Sequence, residues 1–222
     1  MPSSGDEEIR MTDRLARFHG VLAQPLMPWA RILLLLALIP LAWGATQRLW
    51  TIEFHAPQYP KGLQLHVYSY SISGGNDGLD LSEINTLNHY VGMRALDPRD
   101  FADLDFMPFA IGALLLLALR VAVIGDVRSL VDLAVLTGYF GLFGIARFAY
   151  MLYTYGHELD PRAPIEMAGF MPPVWGTRTI ANFTVSSSPS TGTVLISIFG
   201  ATAVLLALWQ LWRGARGPAP VT

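Results

Sequence analysis

Cysteine is absent from all 222 residues. That absence excludes disulfides, thiolate-ligated zinc, iron–sulfur clusters, a thiolate-bridged two-copper centre and covalently attached c-type haem. Charge is scarce as well: Asp, Glu, Lys and Arg make up 14% of the chain, against about 25% of an ordinary soluble domain. The 15 basic and 17 acidic residues leave a net charge of −2, which provides no field that would draw nucleic acid. No Walker motif or glycine-rich phosphate loop occurs, so ATP-driven transport is not expected. No nucleophile elbow is present, and no apolar segment holds a pair of histidines that could clamp a haem. The chain reads as a non-catalytic protein with no certain cofactor.

What the sequence does have is apolar surface. Hydrophobic residues make up 52% of it and mean hydropathy is +0.39, too much for a soluble domain unless the apolar residues gather into spanning segments. The expected architecture is mainly α: a four-helix transmembrane bundle with a small mixed α/β extracytoplasmic domain made from the two outer loops. The expected boundaries are a cytoplasmic tail at 1–28, spans at 29–50, 107–124, 130–155 and 193–212, outer loops at 51–106 and 156–192, and a second cytoplasmic tail at 213–222. Pro40 should kink the first span. A cleaved signal peptide is the competing reading of that segment, but residues 1–28 are too long and too acidic (Asp6, Glu7, Glu8) for a signal n-region.

Basic residues set the orientation. Arg10, Arg14, Arg17, Arg31, Arg128, Arg213 and Arg216 flank the spans on the side of the termini, while Arg48, Lys61, Arg94, Arg99, Arg162 and Arg178 lie opposite. The excess places both termini in the cytoplasm. In the first outer loop, residues 62–70 alternate and are rich in β-formers, and Gly74–Gly78 reads as a turn. A helix should follow to about Met93, started by Asp80 and Glu83 as a capping-box variant. The second loop reads as irregular, with a strand expected at 179–185 and a loop at 186–192.

On that outer helix Leu81, Ile84, Leu87 and Val91 share one side, and Asn85, His89 and Met93 stack at i, i+4 on the other. An imidazole beside a thioether suits copper, and Met167 and Met171 would complete the set. The plainer alternative is a surface histidine and packing methionines. Further donors in the outer loops are Glu53, His55, His66, His157 and Glu158. Arg147 lies within the third span, where a cation needs a partner. An ion pair with Glu53, or bonds to loop carbonyls, is the favoured reading over contact with an anion, a quinone head or a partner protein. Gly138, Gly141 and Gly144 should allow close helix approach.

The segments Glu83-Ile84-Asn85-Thr86-Leu87-Asn88-His89-Tyr90-Val91-Gly92-Met93 and 156–165, with Phe170-Met171-Pro172-Pro173 and Ile180-Ala181-Asn182-Phe183, resemble a family of small multispan membrane proteins. Their genes lie in the nitrous-oxide-reductase clusters of bacteria carrying the second major type of that enzyme. The resemblance implies an accessory or anchoring partner, in the bacterial cytoplasmic membrane, of a copper-containing reductase that works outside that membrane. Two alternatives follow from the residues: a copper-handling protein that binds Cu(I) through the outer loops, and a quinol-site or electron-input subunit built around Arg147 and His157. Asn85 and Glu158 would face the partner.

Overall fold

The computed structural model describes residues 4–165, 168–180 and 183–216. Six α-helices and five strands occur in the order α1 (Ser4–Leu22), α2 (Pro28–Gly44), β1 (Trp50–Ala56), β2 (Tyr59–Val67), β3 (Ile72–Gly74), α3 (Leu79–Tyr90), α4 (Ala102–Ile124), α5 (Val127–His157), β4 (Gly176–Ile180), β5 (Phe183–Pro189) and α6 (Thr191–Arg216). The chain is mainly helical, with a small antiparallel sheet. It divides into two compact units: one drawn from Met1–Pro40, Ala113–Tyr139 and Ile198–Thr222, the other from Leu41–Gly112 and Phe140–Ser197.

Among the described residues three helices, α4, α5 and α6, with 23, 31 and 26 residues, are long and apolar enough to cross a membrane. The fourth expected span is shorter than its apolar run suggested. Helix α2 has 17 residues, contains Pro40 and stops at Gly44, giving it a length of about 26 Å at 1.5 Å per residue. The reason is local: the amides of Thr46 and Gln47 turn back onto the carbonyls of Trp43 and Gly44, and Trp50 belongs to β1. The other three long apolar helices begin earlier than the expected spans. Helix α4 takes in Ala102 with Asp103 and Asp105 in its first turn, where acidic residues favour the helix dipole. The tail expected at 1–28 contains helix α1.

In the first unit, Arg31 ties the start of α2 to the end of α4. Its guanidinium donates to the carbonyls of Val123 and Gly125 and to that of Leu26, satisfying acceptors that a helix C-terminus leaves open. Asp126 then starts α5, its Oδ1 accepting from the Ser129 amide and hydroxyl, both at 2.8 Å. Those two bonds hold its carboxyl below the usual range. Trp29 packs edge-on against Trp209, and Arg213 and Arg216 lie over Trp209 and Trp212, cation–π contacts between the last turns' cations and their own helix's indoles.

The second unit is built on one antiparallel sheet of order β3-β2-β1-β5-β4. Both long connections contribute, β1 to β3 from the first and β4 and β5 from the second. Of the segment expected as a loop at 186–192, residues 186–189 are the end of β5 and 191–192 the start of α6. The strand's serines suit the place because Ser187, 2% exposed, accepts from Trp50 Nε1 at 2.8 Å and donates to the Val174 carbonyl at 3.0 Å. One face of the sheet packs Ile52, Leu63, Leu65 and Val185 with Ile84 of α3 and Leu104 of α4. Ile84 is fully buried, which contributes about 1.5–3 kcal/mol. Leu81 and Leu87 pack against the same core.

Candidate functional site

Strand alternation sends every second residue to the opposite face. There Thr51 stands opposite His66 and Ser188, and Glu53 opposite Gln64 and Ser186. Gln64 Nε2 donates to Glu53 at 3.1 Å. Thr51 Oγ1 lies 2.8 Å from the Ser190 hydroxyl and 3.4 Å from Nδ1 of His66. At the end of this face Arg48 donates through Nε to the Tyr68 hydroxyl at 3.2 Å.

Two cavities open beside these groups. The larger, about 810 Å³, is walled by the hydroxyl-bearing residues Thr46, Thr51, Tyr68, Ser190 and Thr191, with Arg48 as its one charged residue and Val194 and Leu195 of α6 also lining it. The smaller, about 480 Å³, shares Arg48 and Tyr68 and adds Gln64, His66 and the 73–78 turn. In that turn Asn76 and Asp77 both have positive φ, 49° and 55°, which non-glycine residues adopt at a cost. The close approach of the turn between α2 and β1 to α6 depends on glycine: a Cβ on Gly192 would sit 2.8–2.9 Å from the carbonyls of Arg48, Gln47 and Gly44.

His66 is 3% exposed. Burial, reinforced by the charge of Arg48, pushes its pKa below the ordinary histidine value, against the pull of Asp80 and Glu53. The folded protein therefore holds a neutral imidazole near pH 7, and the unfolded chain binds the proton more readily. Stability from this group is complete above the unfolded value of about 6.5 and falls as the pH drops below it. Thermal unfolding in detergent between pH 8 and pH 5 should show that acid lability, and His66→Gln should flatten it.

The residues singled out from the sequence fall elsewhere. Helix α3 is preceded by Gly78 at its N-cap, in the left-handed conformation and without a side-chain cap. Asp80 does not cap it. Its buried carboxylate instead accepts the Gln64 amide at 2.9 Å, and Glu83 accepts the Tyr59 hydroxyl. The helix ends at Tyr90, and after the left-handed turn at Gly92 the Met93 amide bonds back to the Asn88 carbonyl. Met93 is off the helix, so the i, i+4 stacking with His89 on which the copper reading rested is not formed. His89 is exposed. Asn85 is not presented outward: Oδ1 accepts the Leu96 amide at 2.7 Å and Nδ2 donates to the Leu96 carbonyl at 3.2 Å. The Met171 carbonyl accepts from Arg178 at 3.2 Å, and Met167 lies outside the described residues. No three His, Cys, Asp or Glu side chains gather as a metal site among the described residues.

Arg147 has the ion pair expected of it, but with a different partner. Its Nε meets Asp103, in the first turn of α4, at 2.5 Å, and its guanidinium lies 5.2 Å from the centre of the Tyr150 ring. Glu53 is instead held on the sheet by Gln64. His157 stacks on Tyr153 with ring centres 3.9 Å apart, and its Nδ1 lies 2.9 Å from the Tyr153 carbonyl. Glu158 is exposed just beyond α5. Gly138, Gly141 and Gly144 do not mark a close helix contact within the chain, since a Cβ on any of them would meet nothing within 4 Å.

The groups that line the cavities, Arg48, Thr51, Tyr68 and Ser190, carried no sequence signal beyond strand alternation and the position of Arg48 at the end of an apolar run. Their meeting depends on β1 pairing with both β2 and β5. Compared with protein-family models, with curated proteins and with solved structures, the chain matches none.

Proposed function

We propose that the chain is a multi-pass membrane protein whose sheet unit docks a protein partner on the non-cytoplasmic side of the membrane. In this reading α2, at the lower limit of spanning length, joins α4, α5 and α6 as a fourth span, and both termini are cytoplasmic. The partner suggested by the resemblance of 83–93 and 156–165 is a copper-containing nitrous-oxide reductase, with this chain as its anchor or assembly partner. The observation that carries the docking role is the open edge of the sheet. Strand β4 pairs only with β5 among the described strands, and four of its five residues are exposed. Beside it Trp175 is 76% exposed. An unpaired strand edge next to a bare indole is a ready acceptor for a partner strand or loop.

The test is affinity purification of the tagged full chain from native membranes, with identification of the proteins that accompany it. Trp175→Ala with Arg178→Glu should leave accumulation unchanged, because both side chains are exposed, and should lower recovery of the partner at least about tenfold, as loss of a hot-spot residue does. Full recovery of the partner by the double variant would remove the edge from the docking role.

A further inference from the structure

The larger cavity has the lining of a lipid site. We propose that it binds the headgroup of an anionic phospholipid, with the phosphate on Arg48 and an acyl chain descending along Val194 and Leu195. The inference rests on α6 lying in the bilayer.

Three observations combine. The first is an unpaired cation: the ion pair found among the described residues is Arg147 with Asp103, so Arg48 has no carboxylate. Its Nε is occupied by the Tyr68 hydroxyl, which steadies the guanidinium and leaves its outer nitrogens to form the two-pronged contact that suits a phosphate. The second is the wall, in which Thr46, Thr51, Tyr68, Ser190 and Thr191 supply hydroxyls and no acidic side chain occurs. A net-anionic head carrying hydroxyls, such as glycerol phosphate, finds partners there. The ammonium of a zwitterionic ethanolamine head would find no carboxylate in this wall, since Asp77 lines only the adjoining cavity. The third is the polarity gradient: Val194 and Leu195 lie in the first turns of α6, and Trp43, 59% exposed, sits three residues before Thr46, at the depth where interfacial aromatics gather. The volume of about 810 Å³ is of the size that holds a small-molecule ligand. The amide of Gly192 is already taken by the Arg48 carbonyl, so the positive charge comes from the side chain rather than from the end of α6.

The experiment uses the purified full chain in detergent, read by native mass spectrometry with phosphatidylglycerol and phosphatidylethanolamine of matched acyl chains, and separately with inorganic phosphate. One phosphatidylglycerol should be retained in preference to phosphatidylethanolamine by about tenfold, and Arg48→Gln should abolish that preference while leaving non-selective lipid adducts in place. Should Arg48→Gln fail to accumulate, Thr191→Val with Ser190→Ala provides the second reading, with an expected loss of about threefold. Equal retention of the two lipids, or a preference unchanged in either variant, overturns the proposal. Inorganic phosphate that binds as well as the lipid would show a phosphate site without a lipid role and also overturns it. A protein that carries no lipid of either kind also overturns the proposal, whereas release of the chain from native membranes by alkaline carbonate would refute the membrane placement of α6 on which it rests.

Discussion

Replacing Gly156 with alanine should lower the melting temperature of the protein more than any other single substitution proposed for it would. Gly156 is buried in the last turn of α5, and its carbonyl accepts the Phe170 amide at 2.9 Å. The connection from α5 to β4 therefore returns directly across it. A Cβ at this position would run into the Phe170 carbonyl oxygen and come within 2.9 Å of its carbon, backbone atoms that cannot rotate away. Relief requires the connection to retreat, which costs the hydrogen bond and withdraws Phe170 from the core it packs against. Overpacking against a rigid wall costs about 3 kcal/mol, equivalent to about 6–12 °C in a chain of this size. Thermal melting of detergent-solubilised protein measures it. Gly141→Ala is the matched control, because a Cβ there meets nothing within 4 Å and alanine favours the helix. Identical melting of the two variants would show that the connection is not seated on Gly156.

The second large effect belongs to the ion pair of Arg147 and Asp103. The side chains are 35% and 42% exposed, so screening keeps the interaction well below that of a fully buried pair, and removing one partner should cost about 1–2 kcal/mol. Arg147→Leu leaves the Asp103 carboxylate without its counter-charge. Asp103→Asn removes a favourable charge from the first turn of α4 as well. The double variant should be more stable than the sum of the single losses predicts, by about 1 kcal/mol. Additive losses would mean that the contact contributes nothing and that Arg147 is held by Tyr150 alone. A reductase partner, if recovered from native membranes, should remain bound to whatever fraction of Arg147→Leu accumulates, since neither residue lies on the proposed docking edge.

Much of the helical layout is legible without coordinates, for a simple reason. An apolar run of twenty residues has few ways to satisfy its backbone except as a helix, so α4, α5 and α6 announce themselves by composition. The apolar side of α3 was legible as well, since Leu81, Ile84 and Leu87 repeat at helical spacing. Composition does not mark where such a run stops being helix: the stretch through Trp50 stays apolar, but the turn at 44–47 and the pairing of Trp50 with Val67 and Pro189 turn its end into strand. Met93 left the face of His89 for the same kind of reason, because the left-handed turn at Gly92 ends the helix before the repeat is complete. Tertiary structure alone decided the rest. Serines at 186–188 read as loop until two neighbouring strands give them partners, and Asp103 reads as a solvated charge until α5 brings Arg147 to it. The cavity beside Arg48 has no linear signature at all: its walls come from residues 46–68 and 189–195, which meet only because the two long connections share one sheet.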